Sequence, residues 1–407
     1  MKCRHCSHNL DTVFLDLGFA PPSNAYLSED QLKTPEKYYP LKLFVCEQCW
    51  LVQTEDFAQA DELFSSDYAY FSSISKGWLR HAEAYCEMIT KRLELTKDSL
   101  VMEIAANDGY LLKNFVSNQI PCLGIEPTLS TAAAAEALDI PIIKEFFGER
   151  LALELVNQNK QADLIIGNNV FAHVPDINDF ATGLKTALKP SGTITLEFPH
   201  LMQLLKKNQF DTVYHEHFSY LSLYSTMQVF KKAGLRVYDV EELSTHGGSL
   251  RIFGCHANDE KKTSDMVNHL LQQEKQFGMR EVTLYQRFQA LANEVKNGLV
   301  EFLIEQQRSG KKVGAYGAAA KGCTLLNYGG VKPDLLPYVC DAAPSKQHQF
   351  LPGSHIPILT PEAIAERKPD FVLILPWNIQ NEVVKQLSFV RGWNGKFVVA
   401  VPELRVL

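Results

Sequence analysis

The run from Tyr214 to Tyr220 (YHEHFSY) brings two histidines, a carboxylate and two phenols together within seven consecutive residues. These groups can remove a proton from carbon and stabilise the charge that develops on a neighbouring oxygen. We predict that His217 is the base, because an imidazole with a pKa near neutrality is the usual group for proton abstraction. Glu216 or Tyr214 would orient its ring or bind a substrate hydroxyl. The alternative is an aromatic and polar loop that packs below a sheet.

Two pairs of cysteines near the start of the chain have the spacing of metal ligands. The pairs are Cys3 with Cys6 and Cys46 with Cys49. Four thiolates satisfy a tetrahedral zinc ion and leave no open catalytic position, so we predict a structural Zn²⁺ site. Between the pairs, residues 15–25 are predicted to form a loop, and residues 39–46 alternate like a strand. The separation between the pairs exceeds that of a usual zinc ribbon. Replacement of one cysteine by His5 or His8, and a set of unbound thiols, therefore stay open as alternatives.

From residue 100 onward, short apolar runs alternate with helical patterns, which is typical of a doubly wound parallel sheet. Strands are predicted near residues 100–105, 122–126, 163–168, 193–198 and 235–240. Helices are expected within 261–307, followed by a second set of strands near 312–316, 337–341, 371–375 and 396–401. The predicted fold class is therefore α/β, with two Rossmann-like domains preceded by a small zinc-binding module.

The loop after the first of these strands indicates which ligand the first Rossmann-like domain binds. It lacks the G-x-G-x-x-G pattern that seats a pyrophosphate on a helix end, which favours S-adenosylmethionine over a nicotinamide. Glu103 can contact an ammonium group, and Glu126 can accept both hydroxyls of a ribose. The other residues predicted to line this pocket are Asn107, Gly109, Asn168, Asn169, Tyr70 and Ser72. The polar and aromatic segment 65–73 is expected to fold over the pocket, with an ordinary linker as the alternative.

The second set of strands begins with a degraded dinucleotide fingerprint. Small residues stand at Ala315, Gly317 and Ala320, with Asp341 further along, but alanines would crowd a pyrophosphate turn. A lysine close to the following helix start offers a cation beside backbone donors, which suits a diphosphate. The candidates for this role are Tyr316, Lys321, Ser345 and Lys346. A purely structural sheet and a second cofactor site are the alternatives.

Composition and charge exclude several classes of protein. A length of 407 residues with 46% hydrophobic content predicts two or three domains, which we place at 1–65, 66–280 and 281–407. A net charge of −7 without a basic block argues against a nucleic-acid substrate. The absence of a long apolar stretch argues against a membrane span, and cysteines stand where a signal peptide would be apolar. A cytoplasmic location is expected.

Together these motifs resemble the zinc-containing sugar C-methyltransferases, which act on nucleotide-linked 4-keto-6-deoxysugars. The resemblance extends over essentially the whole chain. The matching segments are the cysteine pairs, the loop 103–109, and residues 168–173, 214–220, 247–251 and 316–322. One departure is that Ala105 or Ala106 replaces a glycine common in methyltransferases, which leaves the binding assignment in little doubt.

The resemblance implies methylation at C3 of a hexose that carries a C4 ketone, through an enolate. Within the central run it favours Tyr214, Glu216 and His217 over His215. It also implies that His173 donates a hydrogen bond to the enolate or lies beside the methyl donor. The substrate would be linked to thymidine or guanosine diphosphate. One chain can supply all of these groups, so a monomer suffices and the oligomeric state stays open.

The resemblance further implies residues that contact the sugar or its phosphates. They are Tyr68, His246 and Arg251, although Arg251 is equally suited to a salt bridge. Methylation of another acidic carbon or of a sugar hydroxyl is an alternative that uses the same base. An inactive zinc-bearing scaffold and a nicotinamide-dependent sugar reductase are alternatives from other classes.

Overall fold

The computed structural model describes residues 1–55, 57 and 71–407. In this part of the chain the strands form three sheets of four, seven and six strands. The predicted sites at Tyr68 and Tyr70 lie outside the described residues. Among the described helices, none combines the length and apolar character needed to cross a bilayer.

The four-stranded sheet is antiparallel and carries the cysteine pairs at its end. Its strands are β1 (Thr12–Ala20), β2 (Tyr39–Val45), β3 (Val52–Thr54) and β9 (Ser219–Tyr220). The sequence interpretation of residues 15–25 as a loop is wrong for the first part, because Leu15 and Leu17 are buried in β1. Strand β9 forms the last two residues of the predicted catalytic run, so the zinc module pairs with the end of that run.

The seven-stranded sheet confirms the predicted doubly wound fold. Its order is β10-β11-β8-β7-β4-β5-β6, and only β11 runs antiparallel to its neighbours. The strands are β4 (Val101–Ile104), β5 (Cys122–Ile125), β6 (Ile142–Ile143), β7 (Ala162–Asn168), β8 (Leu188–Pro199), β10 (Leu235–Leu243) and β11 (Ser249–His256). Strands β4 and β7 are almost wholly buried, as expected for parallel strands covered on both faces.

Short helices cover this sheet. They are α1 (Lys76–Arg92), α2 (Leu112–Ser117), α3 (Leu129–Glu136), α4 (Glu149–Asn157), α5 (Ile177–Ala187), α6 (Leu201–Lys206) and α7 (Leu223–Ala233). Local sequence sets the ends of α7: Ser222 and Ser225 form a capping box at its start, and Gly234 ends it in the left-handed conformation with φ of 78°. Because the catalytic run ends in β9 and the capped helix α7 begins soon after it, at Leu223, these two elements fix the C-terminal end of the run.

Two helices lead to the third sheet, α8 (Asp265–Gln276) and α9 (Val282–Arg308). Helix α9 packs on the first sheet, where the ring of Phe14 lies 5.5 Å from Tyr285 and 5.0 Å from Phe288. The third sheet has the order β14-β13-β12-β15-β16-β17. Its elements are β12 (Val313–Tyr316), α10 (Ala320–Tyr328), β13 (Val339–Cys340), β14 (Ile358–Leu359), α11 (Glu362–Arg367), β15 (Phe371–Ile374), α12 (Gln380–Gln386), β16 (Lys396–Val399) and β17 (Arg405–Val406).

Candidate active site and zinc site

The four cysteines of the two pairs come together. Their sulfur atoms all lie within 4.8 Å of one another, and the Cys3–Cys49 and Cys6–Cys46 separations are each 3.5 Å. Thiolates on a tetrahedral zinc ion lie about 3.8 Å apart, given Zn–S bonds of about 2.3 Å. His5 does not join the cluster, because its Nδ1 lies 2.8 Å from Asn178 Oδ1. The donor set therefore fits a closed Zn²⁺ site.

Glu103 lies in β4 with a fully buried side chain. Neither of its carboxylate oxygens has a hydrogen-bond partner among the described residues. Burial raises the pKa of this carboxyl well above its ordinary value, and the nearby carboxylates of Glu126 and Asp108 raise it further. An unpaired buried carboxylate is costly, so Glu103 fits a pocket that a cationic ligand such as the ammonium group of S-adenosylmethionine completes.

Glu126 closes the turn that follows β4. Its Oε2 accepts the backbone N–H of Asn107 at 2.9 Å, and its Oε1 accepts that of Thr128 at 2.9 Å. Each oxygen keeps a lone pair that a ribose hydroxyl could use. Gly109 has φ of +74°, and a Cβ there would stand 2.5 Å from the side chain of Ile140. The turn therefore needs glycine both for its backbone and for its packing.

Residues just after the undescribed segment contact the same turn. The N–H of Ser72 donates to Asn107 Oδ1 at 2.9 Å, and the N–H of Ser73 donates to Asp108 Oδ2 at 3.0 Å. Trp78 lies in the first turn of helix α1, and its ring stacks on Tyr110 with the centroids 6.0 Å apart. The sequence placed Ser72 at this pocket. It did not single out Asp108, whose only signal was its place in the same loop.

The end of β7 carries the predicted asparagines. Asn168 is the last residue of the strand and is buried, and Asn169 follows with φ of +54°. Asn169 Nδ2 lies 3.1 Å from His246 Nε2, so the turn after β7 contacts the loop before β11. His173 ends the 3-10 turn Phe171–His173, and burial lowers its pKa to about 4. The imidazole is therefore neutral at physiological pH.

His217 lies at the centre of a cluster of rings. Its ring centroid is 4.0 Å from Tyr214, 4.6 Å from His173 and 5.8 Å from Tyr220. Its Nδ1 lies 3.1 Å from the carbonyl oxygen of Thr212. Because a carbonyl can only accept, Nδ1 carries the proton and Nε2 carries the lone pair.

The electrostatic surroundings keep His217 neutral. Burial lowers its pKa well below the ordinary value, and His173, His246 and the charge of Lys321 lower it further, while the hydrogen bond to Thr212 opposes the shift. These three side chains arrive from three parts of the chain: the end of β7, the loop before β11 and the start of α10. The pKa near neutrality that the sequence suggested for this base is therefore wrong for the buried side chain. A neutral imidazole with a defined Nε2 lone pair has the form required of a general base.

Glu216 and His215 project to other partners. Both carboxylate oxygens of Glu216 accept from Asn24 Nδ2, at 2.7 and 2.9 Å, and burial raises its pKa to about 7. His215 Nε2 lies 3.2 Å from the carbonyl oxygen of Pro40 in β2. Sequence reasoning missed Asn24, since one polar residue in a region read as a loop carries no signal of a partner so far along the chain.

The residues predicted to bind the substrate do not all converge. Lys321 reaches the catalytic cluster, where its Nζ donates to Asn378 Oδ1 at 2.6 Å and lies 4.6 Å from the centroid of the Trp377 ring. Burial lowers its pKa to about 8, and the nearby Asp211 carboxylate opposes that shift. Lys321 is the second residue of α10, so it lies at the helix start as the sequence predicted, and it is half-buried there.

The other predicted substrate residues of the third sheet lie apart. Tyr316 is in the core of that sheet, and its hydroxyl accepts from Gln386 Nε2 at 2.8 Å. Ser345 is exposed, and Lys346 Nζ donates to the carbonyl oxygen of Ala318 at 2.9 Å. These contacts stabilise the end of β12 and the turn after it, and the side chains do not form one positively charged cluster that could bind a diphosphate.

Arg251 forms the salt bridges that the sequence had left as its alternative role. Its side chain is buried, lies 2.9 Å from Glu197 and 3.1 Å from Glu241, and stacks over Tyr85 at 4.6 Å. Because both ends of its guanidinium are occupied, the geometry favours the structural role. His246, in contrast, lies in the catalytic cluster with φ of +52°, and burial lowers its pKa to about 4.

Three family models match successive parts of the chain. They describe a zinc binding domain over residues 3–64, a methyltransferase domain over residues 78–240 and a C-methyltransferase C-terminal domain over residues 244–402. C-methyltransferase NovU of Streptomyces niveus is 33% identical over 408 aligned residues, which cover 100% of this chain and 96% of that protein.

Two solved structures illustrate the similarity to other methyltransferases. An S-adenosylmethionine-dependent methyltransferase from Clostridium acetobutylicum is 10% identical, with a TM-score of 0.36 over 44% of this chain and 92% of that one. Magnesium protoporphyrin IX methyltransferase from Synechocystis is 11% identical, with a TM-score of 0.34 over 44% and 80%. Likenesses of this size say nothing of this chain's chemistry.

The family models and the full-length relative agree with the geometry described above. The methyltransferase domain takes S-adenosylmethionine as its cofactor, and the four clustered cysteines hold structural zinc. Because the relative matches along the whole chain and the three models follow one another along it, this protein belongs to the family of zinc-containing C-methyltransferases.

Proposed function

We propose that the protein methylates C3 of a nucleoside-diphosphate-linked 4-keto-6-deoxyhexose. The observation that carries the proposal is His217, a buried neutral imidazole whose Nδ1 is bound to Thr212 and whose Nε2 lone pair is left for a substrate proton. A ketone at C4 acidifies the C3 hydrogen, so that a base of this kind can remove it when the resulting enolate is stabilised.

In the proposed reaction, His217 Nε2 takes the proton from C3 and the electron pair of that bond moves toward the C4 oxygen. C3 would then form a bond to the methyl group of a bound S-adenosylmethionine as the bond between that methyl and sulfur breaks, with S-adenosylhomocysteine as the leaving group. The ketone re-forms as the new carbon–carbon bond is made, and the proton on His217 passes to solvent. The product is a branched deoxysugar.

Several side chains around His217 can stabilise the enolate. The ring of His173 lies 4.6 Å from that of His217, and its imidazole is neutral and hydrogen-bonds to the backbone of Glu216. To stabilise the enolate, its single N–H would turn from that backbone group to the substrate oxygen. Tyr214, at 4.0 Å, offers a phenol to the same space. Lys321 brings a positive charge close enough to lower the pKa of His217. In a water-poor pocket such groups are worth several kcal/mol more than in bulk water.

The methyl donor would be held by Glu103, with the turn 105–109 and Glu126 around it. Asn168 and Asn169 keep their predicted place beside the methyl donor, as does Tyr70. His246 would contact the sugar, and Glu216 would use the lone pairs that its bonds to Asn24 leave. Tyr68 remains a candidate for substrate binding, whereas Tyr316, Ser345 and Lys346 lie apart from the catalytic cluster and are weaker candidates. Arg251 is better regarded as a structural residue.

The test is incubation of the purified protein with S-adenosylmethionine and a panel of thymidine and guanosine diphosphate 4-keto-6-deoxyhexoses. Mass spectrometry and NMR would locate any new methyl group. We expect a methyl on C3 with at least one member of the panel, and none with a His217→Gln variant. A methyl on oxygen would indicate a sugar O-methyltransferase. No product despite tight binding of the methyl donor would point to another acceptor class.

A further inference from the structure

We infer that the C-terminal domain aims the catalytic base, through two side chains that hydrogen-bond to the segment Phe210–Val213. Thr324 in α10 and Trp377 after β15 are the positioning residues. The inference rests on the proposed role of His217 and adds a requirement to it. The imidazole is correctly oriented only when the C-terminal domain packs against the catalytic run.

Thr324 fixes the peptide next to the one that holds the base. Its side chain is 2% exposed, and its Oγ1 donates to the carbonyl oxygen of Val213 at 2.8 Å. The carbonyl of the preceding residue, Thr212, accepts from His217 Nδ1 at 3.1 Å. Because the two carbonyls belong to adjacent residues, displacement of one moves the other and turns the His217 ring.

Trp377 holds the other end of the same segment. Its Nε1 donates to Asp211 Oδ2 at 2.6 Å, and the Asp211 side chain is fully buried. The ring is wedged between Lys321, at 4.6 Å from its centroid, and Gly247, where a Cβ would stand 2.6 Å from the ring. Movement of Trp377 would therefore be felt by Asp211 and by the loop that carries His246.

The segment has local and distant hydrogen bonds. Phe210–Thr212 is a single 3-10 turn, and turns of this kind have weaker hydrogen-bond geometry than an α-helix. Thr212 donates locally to the carbonyl oxygen of Gln209, through its N–H at 3.1 Å and its Oγ1 at 2.7 Å. The distant donors Trp377 and Thr324 add bonds to the Asp211 side chain and the Val213 carbonyl on either side of it. Misplacement of a catalytic group by about 1 Å can cost about 10²-fold in rate, so small shifts here should be measurable.

The experiment compares conservative variants in the full-length protein. Thr324→Val removes only the hydroxyl donor, and Thr324→Ser restores it. Trp377→Phe removes the indole donor. Trp393→Phe is its matched control, because Trp393 Nε1 donates at 2.9 Å to the Pro369 carbonyl within the same domain. The readouts are kcat and KM for methyl transfer, the rate of solvent-deuterium exchange at C3, the melting temperature and the affinity for S-adenosylmethionine.

We expect Thr324→Val and Trp377→Phe to lower kcat and the exchange rate about 10- to 100-fold, with KM and donor affinity changed less than about threefold. Thr324→Ser and Trp393→Phe should behave like the wild type. If Trp377→Phe does not fold, the comparison of Thr324→Val with Thr324→Ser decides alone.

Two results would overturn the inference and can be told apart. If Thr324→Val keeps the exchange rate and kcat of the wild type, or loses activity only in proportion to its lower melting temperature, the positioning role is rejected and the proposed function stands. A wild-type protein that neither exchanges C3 nor methylates any panel member would remove the proposed function, and the positioning role with it.

Discussion

The two α/β sheets use the same device at the same place and differ in what surrounds it. In the seven-stranded sheet, Glu126 follows the second strand and accepts the N–H groups of Asn107 and Thr128. In the six-stranded sheet, Asp341 follows the second strand and accepts those of Ala318, at 2.6 Å, and Ala343, at 2.8 Å. Each acid ties its own loop to the turn after the first strand.

The difference lies in the first strands. Strand β4 carries Glu103, a buried carboxylate without a hydrogen-bond partner among the described residues. Strand β12 has the sequence Val-Gly-Ala-Tyr, with no acidic residue in it. An acid after the second strand thus serves as a loop brace in both domains. The unpaired carboxylate in the first strand is the feature that distinguishes a pocket built for a cationic ligand.

The largest effect should come from removing the proposed base, His217, which has no counterpart among the described residues of the six-stranded sheet. We expect His217→Gln to reduce methyl transfer about 10²- to 10⁴-fold, since that is the usual contribution of a general base. The affinity for S-adenosylmethionine should stay within a few-fold. Product formation measured by mass spectrometry, with calorimetry for donor binding, checks both. Undiminished turnover would show that another group removes the proton.

The next effect concerns the unpaired carboxylate. Glu103→Gln should weaken S-adenosylmethionine binding about 10- to 100-fold, because a hydrogen bond to a charged group is worth roughly 1.5–3 kcal/mol. The unliganded variant should be no less stable than the wild type at pH 7, because an ionisable side chain that is buried without a hydrogen-bond partner among the described residues has been replaced by a neutral one. Calorimetry and urea unfolding measure the two quantities. Unchanged donor affinity would refute the assignment of Glu103.

A third effect follows from His173, which lies just after β7 of the seven-stranded sheet. The pKa of His173 falls from 6.5 to about 4 on folding, so the unfolded chain binds more protons between these values and the wild type loses stability as pH falls through this window. When the pH is lowered from 7 to 5, the unfolding free energy of the wild type should fall by about 2 kcal/mol more than that of His173→Gln. Urea unfolding measures it. His269→Gln, at an exposed histidine of α8, should show no such change.

The smallest effect tests the shared brace. Asp341→Asn replaces one accepting oxygen by an amide nitrogen, so it should cost about 1 kcal/mol of unfolding free energy. Donor affinity should change less than about twofold, because the third sheet is not the donor site. Glu126→Gln should lower the unfolding free energy by a similar amount and should also weaken the binding of S-adenosylmethionine. Equal donor affinities in the two variants would erase the distinction between the sheets.

Much of the fold was predictable because it depends on patterns of residues that are close together in the sequence. The βαβ rhythm, the cysteine pairs and the loop 103–109 are each contiguous in sequence, and each corresponds to an element of the structure. Strand β1 was missed because the segment ending in Pro21-Pro22 reads as a turn, although Leu15 and Leu17 alternate inward. Strand β9 is two residues long and gains its partner only from β3.

The catalytic cluster was predictable only in part. The run 214–220 was visible because its titratable residues are adjacent. The groups that fix it, Asn24, Thr324 and Trp377, come from distant segments and carry no local signal. Arg251 also illustrates this limit, because a conspicuous arginine beside glycines has its partners Glu197 and Glu241 on two other strands.

The most direct test of the account is proton NMR of the C3 hydrogen of an accepted 4-keto-6-deoxyhexose nucleotide in deuterium oxide, with the protein present and the methyl donor absent. We predict that the wild type replaces this hydrogen with deuterium and that His217→Gln does not. A hydrogen that stays in place with the wild type, while added S-adenosylmethionine yields a methyl on oxygen, would contradict carbon methylation by His217.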